Sequence, residues 1–456
     1  MDVARLNFAH GTVAEKAATA DRVRDAAGAA GREVAVLQDL PGPKLRIGAL
    51  TGGIAELKPG ERLTLVCGMS EEGDASRVPV QWDGLAEAIE PDGTIYLADG
   101  SVRLRAEAVR AADGEIDTVV EIGGPVSSRQ GLNIPGELTQ LPAVADDDLE
   151  RLRFGEQMGV DLVAMSFVRR AQEVTDLRSH TDLPLIAKVE KPQAVENIDA
   201  IAEAADCLMV ARGDLGIELE IQEVPMVQKR VIAVAGQLAR PVITATQLLD
   251  SMINSSRPTR AEVTDVANAI LDGTDAVMLS QETAVGRYPV ETIAMMASIA
   301  QRTEEEAPFE VWNEHRVRRL KRSDQDPAYT VAYNACAAAR QLDLAALIVP
   351  TLSGRSARIV SAHRPRVPIF AFSPDPQAVR RCALMWGVEA AAIRSHQVTE
   401  ELIADAVSRA VELGWVKEGE HVGVTAGLPS GQPGTTSLFQ LQRAAIDKEH
   451  RGHRSV

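Results

Sequence analysis

Residues 183–190 read LPLIAKVE, an apolar run that ends in two charged groups two positions apart, Lys188 and Glu190. Four other runs end alike: VARLNF (3–8) in Arg5 and Asn7, CLMVARGD (207–214) in Arg212 and Asp214, PVITAT (241–246) in Thr244 and Thr246, and AVML (276–279) just ahead of Ser280 and Glu282. Residues i and i+2 of a strand share a face, so each pair is expected to aim both groups the same way. A series of such strands with helical stretches between them predicts a parallel βα barrel whose active site lies at the C-terminal ends of its strands.

VARLNF opens a strand–helix–strand unit, with strands at 3–8 and 34–39 and a helix over Val13–Ala30. From Leu40 to about Gly136 the texture changes to short β-branched runs (RLTLV, TIYLA, TVVEI) broken by Gly, Pro and Asp, which predicts a small β domain inserted in the barrel. The barrel pattern resumes with strands near 162–167, 185–190, 207–213, 241–246 and 276–280, making seven readable strands where closure needs eight. The charge-dense stretch EEEAPFEVWNEHRVRRLKRSDQDP (304–327) reads as a linker or exposed helix. Beyond Pro327 helices alternate with the strands AALIVP and VPIFAF, and TSLFQLQ reads as an antiparallel edge, so an open, mostly parallel α/β sheet is expected.

A chain of 456 residues exceeds one compact core, and 45% hydrophobic with 25% charged residues is ordinary globular composition. Only 3% of residues are aromatic and the formal charge is −17, which argues against nucleic acid as a partner while leaving room for a local anion pocket. Cys67, Cys207, Cys336 and Cys382 are far apart, without a CxxC, and indicate neither a zinc site nor a disulfide framework. No apolar run reaches a membrane span and MDVARLNFAHG lacks a secretion signal, so a cytoplasmic protein with no membrane partner is expected.

Glu190 and Asp214 are carboxylates at the ends of neighbouring strands, and two hard oxygen donors suit Mg²⁺ or Mn²⁺ with the rest of its shell open to water and phosphate. Lys188 beside them would neutralise charge migrating between phosphoryl oxygens. In ARGDLG, Gly213 allows close backbone approach, and N–H groups at a helix start would receive a carboxylate. Thr246, Ser280 and Glu282 are enough for a proton relay through water. His10 reads as a cap or packing group, and Asp146, Asp147 and Asp148 as N-terminal helix charge rather than a metal cluster. PTRAEVTDVANAILDG (258–273) reads as an amphipathic helix. In TLSGRSA the donors Ser353, Arg355 and Ser356 and the first-turn N–H groups would suit a phosphate, and GLPSGQPGTTS (427–437) is a second loop nearby.

The blocks VARLNFAHG, GPKLRIG, GLNIPG, AKVEKPQAVENID, MVARGDLGIEL, PVITATQLLDSM, RPTRAEVTDVANAILDGTDAVMLSQETAVGRYP and SGRSARIVSAHRP, in this order over nearly the whole chain, resemble pyruvate kinase. The resemblance implies an α/β protein: a (β/α)8-type TIM barrel (1–40 and 137–325), an inserted small β-barrel lid domain (41–136) and a C-terminal open α/β allosteric domain (327–456) in a homotetramer. It implies transfer of phosphate from phosphoenolpyruvate to ADP in glycolysis, with protonation of the enolate to pyruvate. Lys188 then corresponds to the lysine of the phosphoryl transfer, Glu190 and Asp214 to the divalent-metal ligands and Arg5 to the phosphate contact. Thr246 would lie near the enolate carbon, Gly213 with Asp214 would hold the substrate carboxylate, and Ser280 and Glu282 would deliver the proton. Asn7 and Arg46 fall among the substrate-side groups, and Ser353, Gly354, Arg355 and Ser356 at the phosphorylated effector's site.

The chain departs from the family at several positions. Ala9 and Leu40 stand where Ser and Thr help Asn7 and Asp39 to hold a monovalent cation, and Gln281 replaces the glycine of SGET. Lys44 stands where K⁺-dependent members carry Glu, and its ammonium would supply the cation's charge, so K⁺ is expected not to be required. The family also has a strand and helix ahead of VARLNF, so Met1 is expected not to be the true start. Two other functions compete: a metal-dependent aldolase or lyase on the same barrel, and a non-catalytic subunit that only senses effector.

Overall fold

A computed structural model describes residues 1–43, 45–135, 142, 144–307, 326–427 and 436–446. Lys44, most of the 304–327 linker and most of the GLPSGQPGTTS loop lie outside the described residues. Seven strands form one sheet in chain order: β1 (Val3–Asn7), β2 (Ala35–Leu40), β3 (Leu162–Met165), β4 (Leu185–Val189), β5 (Cys207–Ala211), β6 (Val242–Ala245) and β7 (Ala276–Met278). Every neighbouring pair is parallel. Parallel strands need crossovers, and the segments between them supply helices, as a TIM barrel requires.

The two-residue side-chain period sorts each strand. Ala35, Leu37, Leu162, Ala164, Ile186, Cys207, Met209, Ile243 and Ala245 form one apolar cluster inside the curl. Val36, Val163, Leu185, Ala187, Leu208, Val210 and Val242 pack outward with helix residues. Arg5, Asp39, Lys188 and Glu190 continue the inward set by steps of two. Thr244 belongs to the outward set: its hydroxyl donates to Thr274 Oγ1 at 3.0 Å, in a fully buried position behind the sheet. The expectation that Thr244 and Thr246 share a face is therefore corrected. Thr246 lies past the strand end in left-handed backbone, φ +68°, which turns it away from the strand's alternation. The Arg212/Asp214 and Ser280/Glu282 pairs are not strand pairs either, because helices start at Arg212 and Gln281.

Helix α1 (Val13–Ala30) starts at a Thr12/Glu15 capping box and ends at Gly31. The Asp146–Asp148 run opens the helix Asp146–Gln157, where acidic groups complement the helix dipole. The 258–273 segment forms the helix Arg260–Asp272, capped by Thr259 with Glu262 and closed at Gly273.

Between β2 and that acidic helix the chain builds a six-stranded, mainly antiparallel sheet with its own core of Ile47, Leu65, Ile95, Leu97 and Leu104. The passage from β2 runs through Gly42 at φ +64°, where an added Cβ would sit 3.1 Å from the Phe167 ring and 3.3 Å from Ser166. Gly42 is thus fixed by both conformation and space.

The C-terminal sheet has five strands, four parallel and one antiparallel edge, Thr436–Arg443. Two of them, Val388–Ala392 and His421–Gly427, are additional to those read from sequence. VEAAA is mostly alanine and HVGVTAG is interrupted by glycine, so their strand signal is weak. This domain seals the floor of the barrel. Leu384 enters the interior cluster, Arg380 pairs with Asp161 at 2.8 Å, Arg358 donates to the Ala239 carbonyl at 2.6 Å, and Arg364 pairs with Asp275 at 3.0 Å. Asp161, Ala239 and Asp275 all lie just before strand starts, leaving the C-terminal ends of the strands open on the far side.

Candidate active site

Lys188 is the hub of the inward-facing groups. It is second to last in β4, with 11% of its side chain exposed, and its ammonium lies 2.8 Å from Glu190 Oε1 and 3.3 Å from Asp39 Oδ1. It also donates to Ser166 Oγ at 2.8 Å, and that hydroxyl donates to the Leu40 carbonyl at 2.7 Å. Arg5 Nε holds the other Asp39 oxygen at 2.6 Å. Strands β1, β2 and β4 and the residue following β3 thus converge on one charged cluster.

Burial alone would depress the Lys188 pKa, but the nearby charges of Asp39, Glu190 and Asp214 outweigh it and hold the ammonium above the ordinary lysine range. Asp39 resists burial in the same way: Lys188 and Arg5 keep its carboxyl below the usual carboxylate value. Glu190 goes the other way. Burial pushes its carboxyl up, Lys188 opposes this and Asp214 adds to it, leaving it at about 7.

Glu190 Oε2 accepts the Phe167 N–H at 2.7 Å, and Phe167 is in left-handed backbone at φ +56°. Glu190 Oε1 is buried against the Lys188 ammonium at 2.8 Å. Two carboxylates at neighbouring strand ends, Glu190 buried and Asp214 half-buried and close enough to shift its titration, are a donor set that fits a hard divalent cation. Among the described residues no group of three or more His, Cys, Asp or Glu could hold a metal by itself. An ion at Glu190 and Asp214 would complete its shell from substrate and water.

Helix α2 (Arg212–Glu218) starts immediately after β5 and carries Gly213 and Asp214. Gly213 N–H donates to Thr246 Oγ1 at 2.7 Å, so the threonine hydroxyl occupies the acceptor position that a substrate carboxylate would take. An added Cβ on Gly213 would meet that same oxygen at 3.4 Å.

Residues 1–293 match the pyruvate kinase barrel domain, and residues 329–441 match the pyruvate kinase alpha/beta domain. The chain belongs to the pyruvate kinase family. A pyruvate kinase of Geobacillus stearothermophilus is 43% identical over 451 residues, 97% of this chain and 76% of the relative. One of Mycobacterium tuberculosis is 41% identical over 452 residues, 98% of this chain and 94% of the relative. The solved structure of a pyruvate kinase from Cryptosporidium parvum superposes with a TM-score of 0.89 at 31% identity, covering 98% of this chain and 91% of that one.

Of the residues expected at a pyruvate kinase site, Arg5, Lys188, Glu190 and Asp39 form one bonded network, and Gly213 and Thr246 a second. Others are bonded outside these two networks. Glu282 is 1% exposed, and its oxygens accept N–H groups of Ser280 at 2.7 Å and Leu249 at 3.4 Å, so it ties the loops after β6 and β7 together. Asn7 Oδ1 accepts the Ala9 N–H at 3.0 Å, closing its own turn. Arg46 belongs to the small β domain, where it donates to the Arg129 carbonyl at 3.0 Å. In the C-terminal domain Gly354, at φ +83°, precedes the helix Arg355–Ala362. There Arg355 is paired with Asp326, Ser356 Oγ lies 2.6 Å from Thr436 Oγ1, and Ser353 is exposed.

Ser166, Phe167 and Arg212 were missed as site residues. The signal for Ser166 was present: with Leu162 and Ala164 it makes the same two-residue step that selected Lys188 and Glu190. In the sequence Arg212 stands out only as half of a strand-end pair. Its guanidinium donates to the Thr246 carbonyl at 2.8 Å and pairs with Asp265 at 2.7 Å, fixing the β6 end against α2.

A cation at Glu190 must displace the proton that burial favours. Mn²⁺ affinity, read by electron paramagnetic resonance of the free ion, should fall as pH drops below about 7, approaching about tenfold per pH unit. Affinity that stayed flat down to about pH 5 would contradict the reading of Glu190 as a ligand with a raised pKa.

Proposed function

We propose that this chain transfers phosphate from phosphoenolpyruvate to ADP, giving ATP and pyruvate, as a glycolytic enzyme of the cytoplasm. The observation that carries the reading is the Lys188 ammonium set between Asp39 and Glu190 on the inward face, with Asp214 close enough to act on it. Glu190 and Asp214 would hold Mg²⁺ or Mn²⁺, which supplies charge neutralisation at the phosphoryl oxygens. Arg5, whose side chain is 22% exposed at the cluster's edge, would contact the same phosphate. As the phosphoryl group leaves for the terminal phosphate of ADP, negative charge develops on the enolate oxygen, where Lys188 stabilises it. The substrate carboxylate would take the N–H groups of Gly213 and Asp214, releasing Thr246 Oγ1 toward the enolate carbon, which is protonated through water.

The same reading extends to regulation and assembly. A phosphorylated effector would bind at Ser353, Gly354, Arg355 and Ser356, displacing Asp326 from the Arg355 guanidinium. The assembly would be the family's homotetramer, with the domains divided at 1–40 with 137–325, 41–136 and 327–456. No helix among the described residues is long and apolar enough to cross a membrane.

K⁺ independence is part of the proposal. The oxygens around the expected cation position are committed: Asp39 to Arg5 and Lys188, and the Asn7 amide to Ala9. Ala9 and Leu40 offer no side-chain oxygen. Turnover should agree within about twofold in K⁺, Na⁺ and tetramethylammonium buffers of equal ionic strength, whereas a rise of about tenfold on adding K⁺ alone would reject the idea.

The activity is tested by coupling pyruvate formation from phosphoenolpyruvate and ADP to lactate dehydrogenase. Lys188→Met, checked for folding by circular dichroism, should lose two to three orders of magnitude in turnover, roughly 3 to 4 kcal/mol of transition-state stabilisation. Near-normal turnover in that variant would remove Lys188 from the chemistry.

A further inference from the structure

Lys191 and Glu218 form an ion pair that the proposed chemistry does not use. Their side chains are 9% and 1% exposed, more deeply buried than most of the chain's charged groups. A buried ion pair gains little net stability, because the desolvation of both charges cancels most of their attraction. Its position is more informative than its strength.

Lys191 directly follows Glu190, and Glu218 is the last residue of α2, one turn beyond Asp214 and on the same helix face. The pair therefore joins the strand end that carries one proposed metal ligand to the helix that carries the other. The N-terminus of α2 is tied independently to the end of β6, by Arg212 to the Thr246 carbonyl and by Gly213 to the Thr246 hydroxyl. The Lys191–Glu218 link adds a polar tie at the other end of the helix, beyond the anchoring of Leu215 in the core. Lys191 Nζ also lies 5.9 Å from the centre of the Phe167 ring, and Phe167 N–H is the donor that orients Glu190. One ammonium thus touches the supports of both carboxylates.

We infer that Lys191 and Glu218 are positioning residues that fix the separation of Glu190 and Asp214 and so set the affinity for the divalent cation. The inference rests on the reading of those two carboxylates as metal ligands. Groups that orient metal ligands commonly govern affinity by 10- to 100-fold without touching the ion.

The test is Mn²⁺ titration of the full chain, followed by electron paramagnetic resonance, for wild type, Lys191→Met, Lys191→Arg, Glu218→Gln and Glu190→Gln. Lys191→Met and Glu218→Gln should bind Mn²⁺ about 10- to 100-fold more weakly, and Lys191→Arg, which can rebuild the pair, should recover most of the loss. In steady-state assays the Mn²⁺ concentration for half-maximal turnover should rise by a similar factor, while turnover at saturating Mn²⁺ falls by less than about fivefold. A purely structural pair would lower the melting temperature and leave Mn²⁺ affinity unchanged, and that result in a folded Lys191→Met or Glu218→Gln protein overturns the inference. Should Lys191→Met fail to fold, the nearly isosteric Glu218→Gln decides alone. If Glu190→Gln also binds Mn²⁺ as wild type does, the metal site itself is misplaced and both readings fall; if Glu190→Gln loses binding and the pair variants do not, only the positioning role is lost.

Discussion

An ammonium with 11% of its side chain exposed cannot sit inside a barrel without anions around it, and the placement of those anions shapes the site. Lys188 draws Asp39 from β2 and Glu190 from just past the end of its own strand, and Arg5 from β1 completes the balance on Asp39. The cluster forms because β1, β2 and β4 are parallel neighbours or near neighbours, in register, with the same two-residue alternation inward. A one-residue slip of β4 would send Lys188 and Glu190 to the helix side together, replacing two apolar contacts with two unpaired charges.

The two ends of the barrel do different work. At the floor the C-terminal domain contributes Leu384 to the interior cluster and Arg358, Arg364 and Arg380 to polar groups just ahead of strand starts. Arg364 is 3% exposed, adopts φ +49° and lies 4.8 Å from the centre of the Trp386 ring, whose Nε1 donates to Glu304 at 2.6 Å. At the opposite end, left-handed backbone at Phe167, Thr246 and Gln247 marks where strands give way to functional loops. Strain of this kind persists only where the surroundings hold it, and here Glu190 holds Phe167 while Arg212 and Gly213 hold Thr246.

Much of this was legible in the sequence. LPLIAKVE and VARLNF carried their strand assignment and their inward polar groups because a period of two is visible wherever a strand runs on to its polar end. The same rule misplaced Thr244, since PVITAT is apolar or β-branched on both faces and its last residue lies beyond the strand. The helix start expected in ARGDLG is present, but the strands before it and before SQET stop at Ala211 and Met278, short of the expected Gly213 and Ser280, a boundary that apolar runs do not mark. Lys191 and Glu218 were invisible for another reason: they lie 27 residues apart and are brought together by packing, not by local pattern. Lys44, on which part of the K⁺ argument stands, lies outside the described residues.

The most direct measurement of the central claim is where a divalent cation binds. Crystals of the protein grown with Mn²⁺ and phosphoenolpyruvate, measured at an X-ray energy where manganese scatters anomalously, should show a peak at bonding distance, roughly 2.1 Å for an octahedral hard ion, from one oxygen of Glu190 and one of Asp214, with Lys188 alongside. A peak held by other side chains, with none between Glu190 and Asp214, would contradict the site described here.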